Sequence, residues 1–376
     1  MVCLRDTKFR GKVEMNADTE TPINLKRPIA HAQWSATRIA ELSIAERQQL
    51  LCITILGEQA DLNASVESWQ NPLPLQQIAA PLLCDTTSAI NDVWYSANPC
   101  RAGEFEGIHF RCDEHILYGV IVTPEALLTD KTSSPPLQRA SEEAYRRIFR
   151  LLDEQGYAHL WRAWNYLSDI NVVSHGLERY QQFNIGRHAA FVASGRLASD
   201  DVPAASALGV RRGPLTIAFM AGRRPSCAVE NPRQVSAYLY PAEYGPRSPT
   251  FSRATLAQVP GQELFFISGT AGIVGHRSMH VGDVARQTQE SMDNITAVMQ
   301  AANEVALTQP YQLCEFSYRV YIRFAEDFVP VKATIEQALG QSLVAPAAIV
   351  YIQADICRSD LLVEIEAAAS HSKGNG

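Results

Sequence analysis

The sequence predicts an α+β fold built from two tandem copies of one unit, each a mixed sheet with helices packed on one face. The order strand–strand–helix–strand–helix occurs twice along the 376 residues, a length that favours two cores over one. The first helix of each copy carries apolar residues at matching positions, namely Ile148, Leu151 and Leu152 against Ile295, Val298 and Met299. The strand that follows ends in a similar turn, Ser168-Asp169-Ile170 against Glu326-Asp327-Phe328.

Composition narrows the class of protein. The net charge of −7 argues against nucleic acid as the main partner, because nucleic-acid-binding domains usually carry a basic surface. The start of the chain has no apolar signal region and no window of about 18 apolar residues occurs, so we expect neither secretion nor membrane insertion. The eight scattered cysteines indicate reduced thiols in a cytoplasmic protein. His109, Cys112 and His115 have no fourth ligand nearby, so no metal or other cofactor is expected.

The chain divides into three predicted parts. Residues 1–30 are polar and unpatterned and are expected to be flexible, 31–210 form the first copy, and 211–370 form the second. In the first copy, a helix is predicted from an N-cap at Ser141 to a stop at Gly156, and a second helix at about 173–192. Residues 191–201 break into glycine and polar residues, so this copy lacks a clear acidic last strand. The second copy is therefore the better candidate for chemistry.

The last strand of the second copy reads LLVEIEAAA from Leu361. Side chains alternate faces along a strand, which puts Val363 and Ile365 on one face and Leu362, Glu364 and Glu366 on the other. The simpler interpretation is a half-exposed edge strand with its two carboxylates in water.

An unusual segment, 213–255, joins the two copies and is assigned to the second domain. Arginine and tyrosine alternate in it, with arginines at 223, 224, 233, 247 and 253 and aromatic residues at 238, 240, 244 and 251. Arginine binds carboxylates through a bidentate fork and tyrosine offers a ring face and a hydroxyl, so the cluster suggests an anionic ligand with a planar part. A surface loop with solvated arginines is the alternative.

The second copy resembles the Rid/YjgF family in ISGTAGIV (267–274), in the helix at 285–304, in VYIRFAEDFVPVKATIEQAL (320–339) and in PAAIVYIQAD with LLVEIEA (346–367). This resemblance implies that Glu364 is the active-site acid. The family arginine that binds a substrate carboxylate is replaced here by Ala348, which disfavours simple enamine hydrolysis. Rid proteins are trimers with sites between subunits, so either a monomer or a trimer-like oligomer is compatible with a tandem chain.

Over residues 90–370 the chain is more similar to the chorismatase family, a two-domain elaboration of that fold. The matching stretches are AVENPRQVSAYLYP (228–241), YGPRSPTFSRA (244–254), FISGTAGIVGHRS (266–278), the QTQESMDNI helix and ADICRSDLLVEIEA (354–367). The resemblance implies chorismate as substrate, with Arg233 and Arg247 in its motifs. The two carboxylates of chorismate need cations, for which Arg253 and Arg323 are further candidates, and Tyr240 and Tyr244 are candidates to line the ring site.

Cys357 indicates which type of chorismatase the chain resembles. Chorismatases that release a hydroxybenzoate carry a cysteine at the matching position, so the resemblance implies 3-hydroxybenzoate, with 4-hydroxybenzoate as a possible second product, and pyruvate. The alternatives are a hydrolytic chorismatase giving a dihydroxycyclohexadiene carboxylate, and a Rid-like protein that binds a ligand without turnover. Cleavage by protonating the enol carbon requires a protonated acid near neutral pH, where an ordinary glutamic acid is only about 0.2% protonated. Burial of Glu364, and repulsion from Glu366, would raise that fraction.

Overall fold

The computed structural model describes residues 27–57, 72–83, 89–125, 134–197, 202–340 and 349–373. They form three sheets, two short hairpins and six α-helices. Most of the lead-in predicted for 1–30, and Ala348, lie outside these ranges. Among the helices described, none is both long enough and apolar enough to cross a bilayer.

The first sheet is a separate N-terminal layer that the sequence did not predict. Its strand order is β1-β4-β2-β3, and two short helices connect its first strands. The bounds are β1 Ile29–Trp34, α1 Ala36–Ala40, α2 Ile44–Gln49, β2 Leu50–Leu56, β3 Leu75–Ile78 and β4 Ile90–Ser96. Every residue of β2 is buried because apolar side chains follow one another on both faces of this inner strand.

The second sheet is the first copy of the predicted unit. Its elements are β5 Arg101–Phe105, β6 Ile108–Cys112, β7 Ile116–Thr123, α3 Pro136–Gln155, β8 His159–Ser168, the hairpin of β9 Val173–Ser174 and β10 Leu177–Glu178, α4 Arg179–Ala193, β11 Ala204–Val210 and β12 Leu215–Gly222. The strand order is β11-β8-β12-β7-β6-β5. Helix α3 begins one turn before the predicted Ser141, which lies inside it. It ends as predicted at Gly156, which adopts the left-handed conformation (φ 73°) that favours glycine.

The third sheet repeats the second. Its elements are β13 Cys227–Val229, β14 Ala254–Val259, β15 Gln262–Ala271, the hairpin of β16 Ile273–Val274 and β17 Arg277–Ser278, α5 Val284–Asn303, β18 Ser317–Ile322, α6 Phe328–Leu339, β19 Ile349–Gln353 and β20 Val363–Ser372. Written from the same end, the order β19-β18-β20-β15-β14-β13 matches the second sheet strand for strand. In both sheets the outermost pair, β11 with β8 and β19 with β18, is parallel. The internal duplication is therefore confirmed.

Each repeated sheet carries its two helices on one face, as predicted. Buried apolar residues of α3 and α4 pack on the second sheet, and those of α5 and α6 pack on the third. The opposite faces meet in a shared core, where Trp164 and Tyr166 of β8 pack with Phe266 of β15 and Tyr321 of β18. The two copies thus enclose a helix-free interface, and the N-terminal sheet adds Leu51, Trp94 and their neighbours to the same core.

The predicted domain boundary at 210/211 is wrong. Strand β12 pairs with β7 and β8 and completes the first copy, so the boundary falls between Gly222 and Cys227. Strand β12 is also the missing last strand of the first copy, the equivalent of β20. It contains no carboxylate, and it was not recognised because it is buried along its whole length and shows no alternation.

Candidate active site

Glu364 lies on β20, the strand in the middle of the third sheet. Its neighbours are Ala271 of β15 and Tyr321 of β18, so β20 is an inner strand and the half-exposed edge interpretation is wrong. The predicted alternation is correct: Val363 and Ile365 pack under the helices, and Glu364 faces the first copy. Only 4% of Glu364 is exposed.

Gly269 makes room for the Glu364 carboxyl group. Strand β15 shifts register against β20 between Ile267 and Thr270, and Gly269 lies at this irregularity. A methyl group on Gly269 would lie 1.9 Å from Oε1 of Glu364. A larger residue here would therefore displace the Glu364 side chain from its present position.

The environment keeps Glu364 protonated. Burial raises its pKa to about 8, and the negative charge of Glu366 acts in the same direction. The Cys357 thiol and the positive charge of Arg162 oppose this rise. With such a pKa, roughly nine-tenths of the side chain carries a proton at pH 7, which is the state that acid catalysis needs.

Glu366 is a fixed buried anion and not a solvated neighbour. Its oxygens accept hydrogen bonds from Arg162 (2.5 Å), Arg319 (3.3 Å) and the hydroxyl of Tyr321 (3.1 Å). The network continues from Arg319 to Asp92, whose pKa is lowered chiefly by Arg319 against the effect of its burial. Two of these donors are guanidinium groups, so Glu366 is ion-paired, and its negative charge acts on the neighbouring Glu364.

Cys357 lies in the loop between β19 and β20 and shares a cavity with Glu364. Burial raises the pKa of its thiol, and the neighbouring Glu364 adds to the rise, so the thiol is protonated at neutral pH. The loop is bound to the first copy by two backbone hydrogen bonds between Gly209 and Asp355, of 2.7 and 3.0 Å. The side chains of Cys357 and Glu364 therefore meet, which strand parity alone could not decide.

The cavity that Glu364 and Cys357 line has a volume of about 320 Å³ and lies between the two copies. The first copy contributes residues at the start of α4, among them Tyr180, and the second contributes Cys357 and Glu364. The segment 234–253 closes a third side. Three residues predicted to bind substrate line this cavity, namely Tyr240, Tyr244 and Arg253.

Two arginines of the cavity have no carboxylate partner among the described residues. Arg253 is 5% exposed and donates from Nη2 to the Tyr240 hydroxyl (2.8 Å) and the Val235 carbonyl (2.7 Å), while its buried Nε has no partner. Arg358 lies 3.9 Å over the ring of Tyr244, and its buried Nη2 is likewise unpartnered. Arg358 lies within the matching stretch ADICRSDLLVEIEA (354–367), but nothing in the sequence distinguished it as a site residue.

A third arginine, Arg187 of α4, was missed altogether. It lines a smaller chamber of about 30 Å³ together with Glu364 and Cys357. It is 2% exposed, and its Nε and Nη2 have no hydrogen-bond partner. A single arginine on a helix normally faces solvent, so the sequence carried no signal that this arginine points inward.

Three other predicted substrate ligands do not line the cavity. Arg233 pairs with Glu290 (2.5 Å) and donates to Asn294 (3.0 Å). Arg247 borders a separate cavity beside His188. Arg323 pairs with Asp355 (2.7 Å) and donates to three backbone carbonyls of the loop 356–361, so it supports the loop that carries Cys357. The structure therefore does not bring these three residues together with Glu364, because charge and motif membership do not reveal which partner an arginine finds.

Comparison with known proteins agrees with this architecture. Residues 92–221 match the family described as chorismatase FkbO/Hyg5-like, N-terminal. A chorismatase from Streptomyces rapamycinicus is 36% identical over 282 residues, covering 73% of this chain and 80% of that protein. A 3-hydroxybenzoate synthase from Streptomyces hygroscopicus is 36% identical over 297 residues, covering 76% of this chain and 83% of that protein.

A crystal structure of a chorismatase superposes with a TM-score of 0.78 at 30% identity, covering 91% of this chain and 98% of that one. The fold is thus a tandem α+β arrangement, with a buried carboxyl group between the two copies. The chain belongs to the chorismatase family.

Proposed function

We propose that this protein cleaves chorismate to 3-hydroxybenzoate and pyruvate, with 4-hydroxybenzoate as a possible second product. The observation that carries the proposal is Glu364, a buried carboxyl group with a pKa of about 8, in a cavity that also holds Cys357. The names of two relatives, chorismatase and 3-hydroxybenzoate synthase, support this assignment.

The first chemical step is protonation of the terminal carbon of the enolpyruvyl ether. Glu364 donates the proton, the ether C–O bond to the ring breaks, and its electron pair becomes the carbonyl of pyruvate. The hydroxyl group on the substrate's own ring assists the departure of pyruvate. Chorismate and the sum of hydroxybenzoate and pyruvate have the same atoms, so one proton lost by the ring restores Glu364 and no co-reactant is consumed.

Cys357 acts after the ether is broken. Its protonated thiol lies beside Glu364, where it can direct proton movement on the ring toward the aromatic product. In this role it separates hydroxybenzoate formation from simple hydrolysis to a dihydroxycyclohexadiene carboxylate.

The charge pattern of the cavity suits a dicarboxylate. Arg187, Arg253 and Arg358 border the two chambers, and none of them forms an ion pair in the described part of the chain. Arg187 is buried and has no ion pair among the described residues, and burying an unpaired guanidinium is costly, so an anionic ligand would stabilise the site. Each of the three lies over an aromatic ring, which holds the guanidinium group without neutralising it.

The cavity is built from both copies of one chain, so we infer that a monomer contains a complete site. Six cysteines in the described residues are unpaired, which supports a location in a reducing compartment such as the cytoplasm.

The test is to incubate the purified protein with chorismate and separate the products by reversed-phase HPLC beside 3- and 4-hydroxybenzoate standards, with pyruvate measured in parallel. We expect a hydroxybenzoate and one equivalent of pyruvate. Glu364→Gln should keep the fold and lose roughly 10²–10⁴-fold in rate, since an amide cannot donate a proton to carbon. Chorismate that binds but is not consumed would instead indicate a non-catalytic binding protein.

A further inference from the structure

Four buried charged residues lie together where the three sheets of the molecule meet. Asp92 belongs to β4 of the N-terminal sheet, and Arg162 belongs to β8 of the first copy. Arg319 and Glu366 belong to β18 and β20 of the second copy. Each of the four is at most 8% exposed. Two acids and two arginines balance one another, as buried charges generally must, and the N-terminal sheet contributes one of the two acids.

Arg319 is shared unequally between the two acids. Its Nε donates to Oδ2 of Asp92 at 2.8 Å and its Nη2 donates to the same oxygen, whereas its Nη1 lies 3.3 Å from Glu366. The other oxygen of Asp92 lies 2.7 Å from Nε2 of His31. Burial raises the pKa of the neighbouring Cys52 thiol to about 12, so this thiol adds no charge. Arg319 therefore compensates Asp92 more fully than it compensates Glu366.

Asp92 does not reach the cavity that Glu364 lines. It borders a different cavity of about 30 Å³, together with Glu366 and His31, and Glu364 is not part of that lining. Any influence of Asp92 on Glu364 is therefore electrostatic and passes through the charged residues between them.

The charges around Glu364 fix the direction of this influence. The negative charge of Glu366 favours the protonated form of Glu364, and the positive charge of Arg162 opposes it. Arg319 would add to this opposition if Asp92 did not bind it. The groups that face Glu364 are Glu366 of the same strand, Cys357 of the preceding loop, Arg162 of β8, and Tyr180 and Arg187 of α4.

We propose that Asp92 is a positioning residue for the reaction, because by binding Arg319 it leaves Glu366 enough uncompensated charge to hold the proton on Glu364. This role rests on the proposed function, in which the protonated Glu364 is the acid. It gives the N-terminal sheet a part in the chemistry, although no residue of that sheet lines the cavity or the smaller chamber beside Glu364.

The basic limb of the pH profile of kcat/KM tests this role. Asp92→Asn keeps the shape of the side chain and removes its charge, so Arg319 acts more fully on Glu366 and Glu364 loses its proton more easily. We expect the limb to move to lower pH by about 0.5–1 unit. Relative to the parent, kcat/KM should then fall about 3–10-fold at about pH 9 and stay within about twofold at about pH 6.

Further variants separate this electrostatic role from a structural one. In Asp92→Asn/Arg319→Met the limb should lie at or above that of the parent, since Glu366 has also lost a cation. His31→Lys places a permanent positive charge beside Asp92 at the partly exposed end of the cluster. It should lower the limb by a smaller amount, and it tests the inference if Asp92→Asn does not fold. Glu263→Gln, a buried carboxylate of β15 whose hydrogen bonds go to residues outside the cluster, is the matched control and should leave the limb in place.

The role of Asp92 is overturned by an unchanged limb in Asp92→Asn, or in His31→Lys where the first variant does not fold. It is also overturned by a limb that falls in the double variant as far as in the single one. Infrared titration of the Glu364 carboxyl group, identified by its loss in Glu364→Gln, measures the same shift without substrate. Absence of chorismate turnover would contradict the proposed function, whereas an absent infrared shift would contradict the role of Asp92.

Discussion

Glu364 and Glu366 lie two residues apart on the same face of one strand, yet only Glu366 is held by cations. Arg162 and Arg319 fix the charge of Glu366, while burial and that charge keep the proton on Glu364. One carboxyl group is thus the proposed acid and the other raises its pKa, a difference produced by their different neighbours.

The pH dependence of the reaction follows from this pair. Glu364 must be protonated to act, so kcat/KM should fall as pH rises through about 8. Glu366→Gln removes the repulsion and should move this limb to lower pH, which a pH profile of kcat/KM between about 5 and 10 measures. Glu290→Gln, which affects the pairs with Arg233 and His280 and none of the residues that line the cavity, should leave the limb in place.

Stability should depend on pH through the same group. The pKa of Glu364 is raised on folding from its usual 4.5 to about 8, so its contribution to stability is complete below pH 4.5 and is lost as pH rises to 8. Glu364→Gln does not titrate. Its free energy of unfolding should equal that of the parent near pH 4.5 and exceed it by a few kcal/mol above pH 8. Urea unfolding of both proteins at the two pH values measures this. A difference in free energy of unfolding between variant and parent that did not change with pH would contradict the prediction.

Replacing Cys357 should change the product more than the rate of ether cleavage. Cys357→Ala leaves Glu364 in place, so pyruvate release should continue while the aromatic fraction falls in favour of a dihydroxycyclohexadiene carboxylate. HPLC of the products alongside a pyruvate assay measures both. Cys227→Ala changes an exposed cysteine and is the control. An unchanged product ratio would remove Cys357 from the mechanism.

Gly269→Ala should disable the acid without changing any ionisable group. The added methyl group would meet the Glu364 carboxyl at 1.9 Å, which forces that side chain to move. We expect a loss of at least about tenfold in kcat with a stability cost of about 1–3 kcal/mol, the usual range for overpacking. Steady-state kinetics and thermal unfolding measured together check the prediction; normal kcat in a folded variant would contradict it.

Arginines with and without carboxylate partners should respond differently to substitution. Arg358→Met removes an unpaired cation from the cavity and should raise KM for chorismate about 10–100-fold. Arg233→Met removes a cation that Glu290 already neutralises, so KM should stay within about twofold. Equal effects of the two substitutions on KM would refute the revised set of binding residues.

The sequence predicted the repeated unit from local patterns, whereas Glu364 was identified as the candidate acid through the family resemblance. Strand alternation put Glu364 and Glu366 on one face, and the helix periodicity identified matching residues in α3 and α5. The sequence-based prediction failed where the result depends on tertiary packing. Strand β12 is buried throughout and gave no alternation, so the boundary was misplaced. Arg187 lies 177 positions before Glu364 in the chain, and only the packing of the two copies brings it to the same chamber.

The backbone hydrogen bonds between Gly209 and Asp355 join the Cys357 loop of the second copy to the first copy. The site therefore depends on both copies. A shorter polypeptide covering 223–373 would still contain Glu364 and Cys357. It would lack Arg162, which donates a hydrogen bond to Glu366. It would also lack the small residues of β11 that line the smaller chamber, and Gly209, to which the Cys357 loop is hydrogen-bonded. The last strand of the first copy has no carboxylate. The first copy nevertheless supplies the opposite wall of the chamber beside Glu364.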